Sequence, residues 1–294
     1  MNEQKNLNLQ LDVEAKHVTH VGGKGEYLHD WFAYLEGYSS EFVRSVHQTY
    51  MPKSKTILEP FAGVGTTPLT LGIDGVDSLY CEVNPAMRRV INAKINVASL
   101  PISQKQKLYT DLLQLANDLP KRVDESAECE PLRASYYSAF GKSKFFNDST
   151  LSQVLKLRTL NDNLLRATPL VGRSFEVAVI SKLISCSLLK RAGDVRYKTA
   201  KEVAKGIPDL LSSISKQLQV MATDCLRCPE MVGNASLFST NAKDISDLDY
   251  HRIDGIITSP PYLNGTNYFR NTKLELWYMG DIVNNISLRS FRDE

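Results

Sequence analysis

Residues 56–68 read Thr56-Ile57-Leu58-Glu59-Pro60-Phe61-Ala62-Gly63-Val64-Gly65-Thr66-Thr67-Pro68, and their order decides the fold. The stretch 56–61 is strand-like and mostly apolar, and two glycines follow it at once. Pro68 stands where proline favours the first turn of a helix, which Leu69 to Leu71 continues. Downstream, 76–83 (VDSLYCEV) predicts a second strand and 86–98 (AMRRVINAKINVA) a second helix. Strand, glycine turn, helix, strand, helix opens a doubly wound, Rossmann-like α/β sheet.

A glycine turn between a parallel strand and a helix brings backbone N–H groups and a helix N-terminus close to a ligand. Gly63-x-Gly65 alone is shared by many such turns. Glu82 adds chemistry, because it ends the second strand 19 residues after Gly63. That is near the roughly 20-residue offset at which an acid meets ribose hydroxyls. Proline at position 68 takes the place of the third glycine of a pyrophosphate-binding fingerprint. The turn therefore suits a nucleoside without a diphosphate, and a nicotinamide oxidoreductase is disfavoured.

Upstream, 1–16 is a polar arm and His20-Val21-Gly22-Gly23-Lys24-Gly25 is a glycine-rich loop. Residues 26–50 predict one or two amphipathic helices broken near Gly37. From 101 to about 228 strong strand signals are missing, while 104–118, 149–166, 174–192 and 198–222 carry helical apolar spacing. This block is too long for one crossover and reads as an inserted helical region. Strand signals return weakly at 234–238 and strongly at 253–258 (IDGIIT), and a helix is predicted over 271–279. The expected division is an arm (1–19), a cofactor-binding half (20–100), a helical insertion (101–233) and a catalytic half (234–294).

The chain has 294 residues, 43% hydrophobic and 23% charged, which excludes disorder, collagen-like repeats and coiled coil. No apolar run reaches the roughly 18–20 residues of a membrane helix. The polar, acid-containing N-terminus argues against a signal or transit peptide. Five cysteines do not make a disulfide framework, so a reducing, cytoplasmic setting is expected. Cys225-x-x-Cys228 lacks a second pair and the five histidines are scattered, so no metal is expected. The net charge of +2 hides a split. Residues 141–205 hold 13 Lys and Arg against 5 Asp and Glu, leaving 22 against 28 elsewhere. Such asymmetry points to one segment facing a polyanion.

Ser259-Pro260-Pro261-Tyr262 follows the strand 253–258. Two prolines cannot donate ladder hydrogen bonds, so pairing stops and the corner stiffens. Carbonyl oxygens and the Ser259 hydroxyl then face the cleft at the carboxyl end of the sheet, with the Tyr262 ring beside them. The exocyclic nitrogen of cytosine or adenine is a poor nucleophile because its lone pair is delocalised into the ring. Acceptors such as the Pro260 carbonyl and the Ser259 hydroxyl would bind its protons and draw the nitrogen toward tetrahedral geometry. Alignment with an electrophile supplies the rest.

The pairing of Glu59-Pro60-Phe61-Ala62-Gly63-Val64-Gly65-Thr66-Thr67 with Thr258-Ser259-Pro260-Pro261-Tyr262 resembles the S-adenosylmethionine-dependent DNA amino-methyltransferases. Serine rather than aspartate before Pro-Pro-Tyr is more typical of the cytosine-N4 enzymes. The resemblance covers about 20–100 and 234–280. It implies S-adenosyl-L-methionine as cofactor, bound by Glu59, Phe61, Gly63, Gly65 and Thr66 of the turn and by Glu82 at the ribose. It also implies a flipped base held at Ser259, Pro260, Pro261 and Tyr262. Lys24 lies in a loop similar to the one that closes over the methionine end, and Asn241 or Asp244 stands where the family has a turn near the adenine. Double-stranded DNA is the implied partner, in a restriction-modification setting. Lys190, Arg191, Arg196 and Lys198 of the basic segment are candidate DNA contacts, with Asn267 and Arg270 after the corner; Asn264, Tyr268 and Asn271 lie in the same cluster.

The family's sheet has about three more strands past the corner, and 263–294 has room for little more than a helix. The C-terminal strands are thus expected to be missing, in a fragment or in an enzyme completed by a second polypeptide. The competing expectations are an adenine-N6 or RNA amino-methyltransferase and a non-catalytic DNA-binding half of a split enzyme.

Overall fold

A computed structural model describes residues 19–34, 37–248, 250–261 and 268–291. They form two compact units. One holds the described residues through Val83 together with Met231–Pro260; the other holds Asn84–Glu230 together with the described residues from Pro261 onward. The expected arm lies, up to residue 18, outside the described residues.

The first unit opens with a 3-10 turn at His29–Trp31 and then α1 (Ser40–Tyr50). Ser39 caps α1, its Oγ accepting from the Phe42 N–H at 3.2 Å. Among the described residues of the helical pattern over 26–50, only this later part forms α-helix. β1 (Thr56–Glu59), α2 (Thr66–Ile73) and β2 (Asp77–Cys81) follow in the expected order. Gly63 (φ +54°) and Gly65 (φ +82°) both take left-handed backbone, which glycine adopts without a Cβ penalty. Residues 66–72 of α2 are buried, so this helix is a core element.

The second unit begins with α3 (Pro85–Ala98), capped by Asn84, whose Oδ1 accepts from the Ala86 N–H at 3.0 Å. α4 (Ile102–Glu125), α5 (Glu130–Phe140), α6 (Asp148–Ala167) and α7 (Pro169–Leu183) continue it. The helix expected over 174–192 stops at Leu183. An antiparallel hairpin of β3 (Leu189–Ala192) and β4 (Asp194–Tyr197) takes its end, turning at Gly193 with φ +77°. Each arm of the hairpin has four residues, too few for a period-two pattern to override the helical spacing before it. The helix expected over 198–222 is broken at Gly206 (φ +96°) and Pro208 into α8 (Ala200–Ala204) and α9 (Leu210–Arg227).

β5 (Ala235–Ser239) and β6 (Gly255–Ile256) return to the first unit. Its four strands are all parallel, in the order β5-β2-β1-β6. The order reverses at β1, with β2 and β5 on one side and β6 on the other. Ligands of such sheets bind outside the carboxyl ends at this switch point. The paired length of β6 is shorter than the expected 253–258, although the Ile257 N–H still donates to the Leu58 carbonyl at 3.2 Å. Val43, Ile57, Leu71 and Ile257 form a core joining α1, α2 and the sheet.

α10 (Tyr268–Asn271), α11 (Lys273–Met279) and α12 (Asn285–Ser290) belong to the second unit. Leu274 to Met279 are all buried, and Trp277 packs edge-on against Tyr136 and Phe140. Its indole N–H donates to the Leu132 carbonyl at 3.2 Å. α3 packs against α7 and α11. The units therefore divide at Val83 rather than at residue 100, because the apolar face of α3 meets helices of its own unit.

Candidate active site

The carboxyl ends of four parallel strands carry the two motifs to one edge of the sheet. Glu59 ends β1 and is fully buried. Its Oε1 accepts from the Phe61 N–H at 3.0 Å, and its Oε2 accepts from the Tyr38 hydroxyl at 2.7 Å. The Tyr38 oxygen also lies 2.5 Å from Thr67 Oγ1 on α2, and Thr258 hydrogen-bonds the same carboxylate. Burial pushes the Glu59 carboxyl above its ordinary value, against the pull of these neutral donors. Burial, and then the charge of Glu59, holds the Tyr38 hydroxyl well above its usual value. Glu59 thus ties the glycine turn to the residue before Ser259. Sequence reasoning placed it against the cofactor; in the fold it is fully buried with both carboxyl oxygens hydrogen-bonded.

Glu82, half-buried just past β2, reaches back to the turn and accepts from the Gly63 N–H at 2.7 Å. The Ala62 N–H donates to the Cys81 carbonyl at 3.0 Å and the Gly65 N–H to the Ala62 carbonyl at 2.8 Å. Three N–H groups of the turn are consumed internally, unlike the outward array expected for a phosphate cradle. Phe61 and Val83, each 39% exposed, flank the turn and Glu82 in sequence with apolar surface suited to a flat ring. This donor set fits a nucleoside: a carboxylate for hydroxyls, glycines without Cβ atoms and exposed apolar side chains.

Asn241 caps the 3-10 helix Ala242–Asp247, its Oδ1 accepting from the Lys243 N–H at 3.0 Å, and Asp244 accepts from the Ser239 hydroxyl. The thiol of Cys81 is raised by burial and, in smaller part, by the charges of Asp244, Glu59 and Glu82, which converge on this strand end. Lys24 is exposed in the loop; Gly23 is pressed against the His29 ring, where a Cβ would stand 2.4 Å from a ring carbon. Thr66 is nearly buried. Ser259 is half-buried and Pro260 and Pro261 are exposed after β6. Tyr262, Asn264 and Asn267 lie outside the described residues. Tyr38 and Val83 escaped sequence reasoning, which quoted Thr67 and Thr258 within the motifs without giving them a role, since no local pattern links the four.

In the second unit the candidate basic residues are held by internal partners. Lys190 Nζ and Arg196 both reach Glu202, at 2.8 Å each. Arg191 pairs with the fully buried Glu275. Lys198 Nζ donates to the Ser185 and Ser187 carbonyls at 2.8 and 2.6 Å. Arg270 reaches Asp194 at 3.2 Å, and Asn271 bonds the Val195 N–H and the Gly193 carbonyl across the hairpin tip. Burial pushes the Cys225 thiol up to about 12 and the Cys228 thiol up to about 11. Among the described residues no group of three or more His, Cys, Asp or Glu is placed to hold a metal ion. No described helix is long and apolar enough to cross a membrane.

The chain is similar to the type II methyltransferase M.BsoBI of Geobacillus stearothermophilus, 23% identical over 323 residues of alignment covering 95% of this chain. Its curated relatives are type II methyltransferases. M.AvaI, from Nostoc sp. and from Anabaena variabilis, is also 23% identical, over 303 residues and 93% of this chain. The chain spans 58% of the length of each of these relatives. No protein-family model and no solved structure matches it.

Proposed function

We propose that the chain transfers a methyl group from S-adenosyl-L-methionine to the exocyclic N4 amine of cytosine in double-stranded DNA, within a restriction-modification system. One observation carries this reading. The glycine turn, Glu82 and the Thr258-Ser259-Pro260 corner end neighbouring strands at one edge of a parallel sheet, in a chain whose relatives are type II methyltransferases. Bound S-adenosylmethionine would supply an electrophilic methyl group. Phe61, Gly63, Gly65 and Thr66 of the turn, with Glu82, Val83 and the Asn241–Asp244 segment, would hold it, and Lys24 would face its methionine end. Ser259 Oγ and the Pro260 carbonyl would accept the amine protons and orient the nitrogen lone pair. Glu59 keeps Thr258 and Phe61 in register and so aligns acceptor and donor sites.

Serine at 259 favours cytosine over adenine. The test incubates the full-length protein with duplex DNA and labelled S-adenosylmethionine, then separates modified nucleosides by mass. N4-methylcytosine is expected, and methylated adenine would overturn the base assignment. Label transferred only after a second polypeptide is added would make the chain one half of a split enzyme. The sheet edge at β6, where Ile256 is 55% exposed, is where added strands would pair. DNA binding with no transfer under either condition would favour a non-catalytic binding subunit.

A further inference from the structure

The basic segment of the second unit contains two kinds of cation. Lys190 and Arg196 share Glu202, Arg191 is held by Glu275, and Arg270 by Asp194. The Glu202 carboxyl is pulled below its ordinary value, first by Arg196 and then by Lys190, which favours its charged, paired form. A one-to-one ion pair presents little net charge to a third group, and Lys190 and Arg196 with their shared Glu202 carry one net positive charge between them. Lys142, Lys144, Lys201 and Lys205 are different: all four are exposed, and among the described residues no carboxylate pairs with them.

The elements that carry these lysines are joined by direct contacts. The Leu188 N–H, just before β3, donates to the Phe145 carbonyl at 2.7 Å, which fixes the 141–147 loop beside the hairpin. The Phe145 ring meets the Tyr197 ring at 5.8 Å between centroids. Glu202 lies on α8 and clamps that helix to both hairpin strands. Tyr197 is itself 50% exposed among these lysines. Of the acids on these elements, Glu202 and Asp194 are taken up by the pairs, and Asp148 stands at the first turn of α6, where a helix favours negative charge.

We propose that the face formed by the 141–147 loop, the β3–β4 hairpin and α8 docks the phosphate backbone of duplex DNA. Lys142, Lys144, Lys201 and Lys205 are its phosphate contacts, and Lys190, Arg191, Arg196 and Arg270 are struts that hold the hairpin rigid. This rests on the DNA reading of the proposed function and changes which residues carry it. The unneutralised ammonium groups displace condensed counterions, whereas cations already paired inside the protein displace few. Pinning the hairpin at Glu275, Glu202 and Asn271 lowers the ordering cost of docking.

The test measures duplex DNA affinity by fluorescence anisotropy across a salt series, on the full-length protein, with S-adenosylmethionine binding measured separately by calorimetry. Replacing Lys142, Lys144, Lys201 and Lys205 together by Ala should flatten the slope of log affinity against log salt by about three to four units, at about 0.9 per lost phosphate contact. Cofactor binding should not change. Glu202→Gln keeps the helix cap but releases Lys190 and Arg196, and should steepen the slope by about one to two units. A Lys107→Ala, Lys121→Ala protein, altered on α4, should match the parent.

An unchanged slope in the fourfold variant, with cofactor binding intact, would overturn this face and leave the methyl-transfer reading standing. A Lys190→Ala, Arg196→Ala protein that loses as much slope as the fourfold variant would reverse the assignment of struts and contacts. Binding of single-stranded RNA but not of duplex DNA would overturn the occupant. A parent protein that binds neither S-adenosylmethionine nor DNA would remove the proposed function and this inference together.

Discussion

In the sheet unit Glu59 is buried among neutral donors, three hydroxyls and a backbone N–H, whereas in the helical unit Glu275 and Glu176 are buried against Arg191 and Arg89. In all three, burial raises the carboxyl; for Glu59 hydrogen bonds oppose it, for the others chiefly the arginine charge. The two solutions serve different ends. Neutral donors hold a carboxylate beside a binding edge without placing a cation there. Arginine pairs instead lock helices and a hairpin. The sheet unit is thus tuned for positioning and the helical unit for rigid support.

The most severe way to break this contrast is Arg191→Met. It strands the Glu275 charge in the core and should cost about 3–5 kcal/mol, read as a fall in the urea or thermal midpoint with S-adenosylmethionine affinity unchanged. A loss below about 1 kcal/mol would mean that Glu275 is protonated in the fold and that the pair is not what holds the hairpin. Glu59→Ala should cost on the order of 2–3 kcal/mol, because the Tyr38 hydroxyl and the Phe61 N–H lose their acceptor. Cofactor affinity should fall with it, because the turn and the corner lose their tie.

Glu82→Ala sharpens the contrast from the other direction. This half-buried carboxylate should matter little to unfolding but weaken S-adenosylmethionine binding about tenfold to a hundredfold, the worth of a charged hydrogen bond. Equal loss of stability and affinity would make Glu82 a structural group. Tyr38→Phe, which removes one donor from Glu59, should cost only about 1 kcal/mol.

The smallest effect is in pH. Glu59 has a folded pKa above its unfolded value, so the folded state keeps its proton longer. That contribution to stability is fully present below the unfolded pKa, near the ordinary carboxylate range, and fades as pH rises through the folded pKa. Glu59→Gln should flatten this part of the profile, as checked by urea midpoints between about pH 4 and pH 7. The pairs of Glu202 have the opposite sign: their contribution is full above the unfolded pKa and is lost only as pH falls through the depressed folded value.

Much of the sheet was readable in advance, because strand, turn and helix signals there are local. Ile57-Leu58 are apolar, Gly63 and Gly65 need left-handed backbone, and Asn84-Pro85 starts a helix by its own chemistry. The β3–β4 hairpin was not readable, since its pairing joins short charged strands, the first of which local periodicity assigns to the preceding helix while the second lies in the basic loop between two helical stretches. α5 went unpredicted as well: Glu130–Phe140 mixes aromatics and polar residues, and its buried face is defined by Trp277, far along the chain. The boundary after Val83 depends on what α3 packs against, which no local signal carries.

The sequence alone determined the order of the two motifs, the positive-φ glycine turn, the acid after β2 and the basic bias of 141–205. These follow from backbone sterics, proline chemistry and charge, which act within a few residues. Tertiary structure decided that Glu59 is buried and bonded to Tyr38, Thr258 and the Phe61 N–H. It also decided that most of the conspicuous basic residues at 190–198 and 270 are internally bonded, leaving four lysines on neighbouring elements exposed and, among the described residues, without a carboxylate partner. These ion pairs join residues 6 to 84 apart in sequence, and Glu59 meets Tyr38 across 21. Only the folded chain brings those partners within a hydrogen bond.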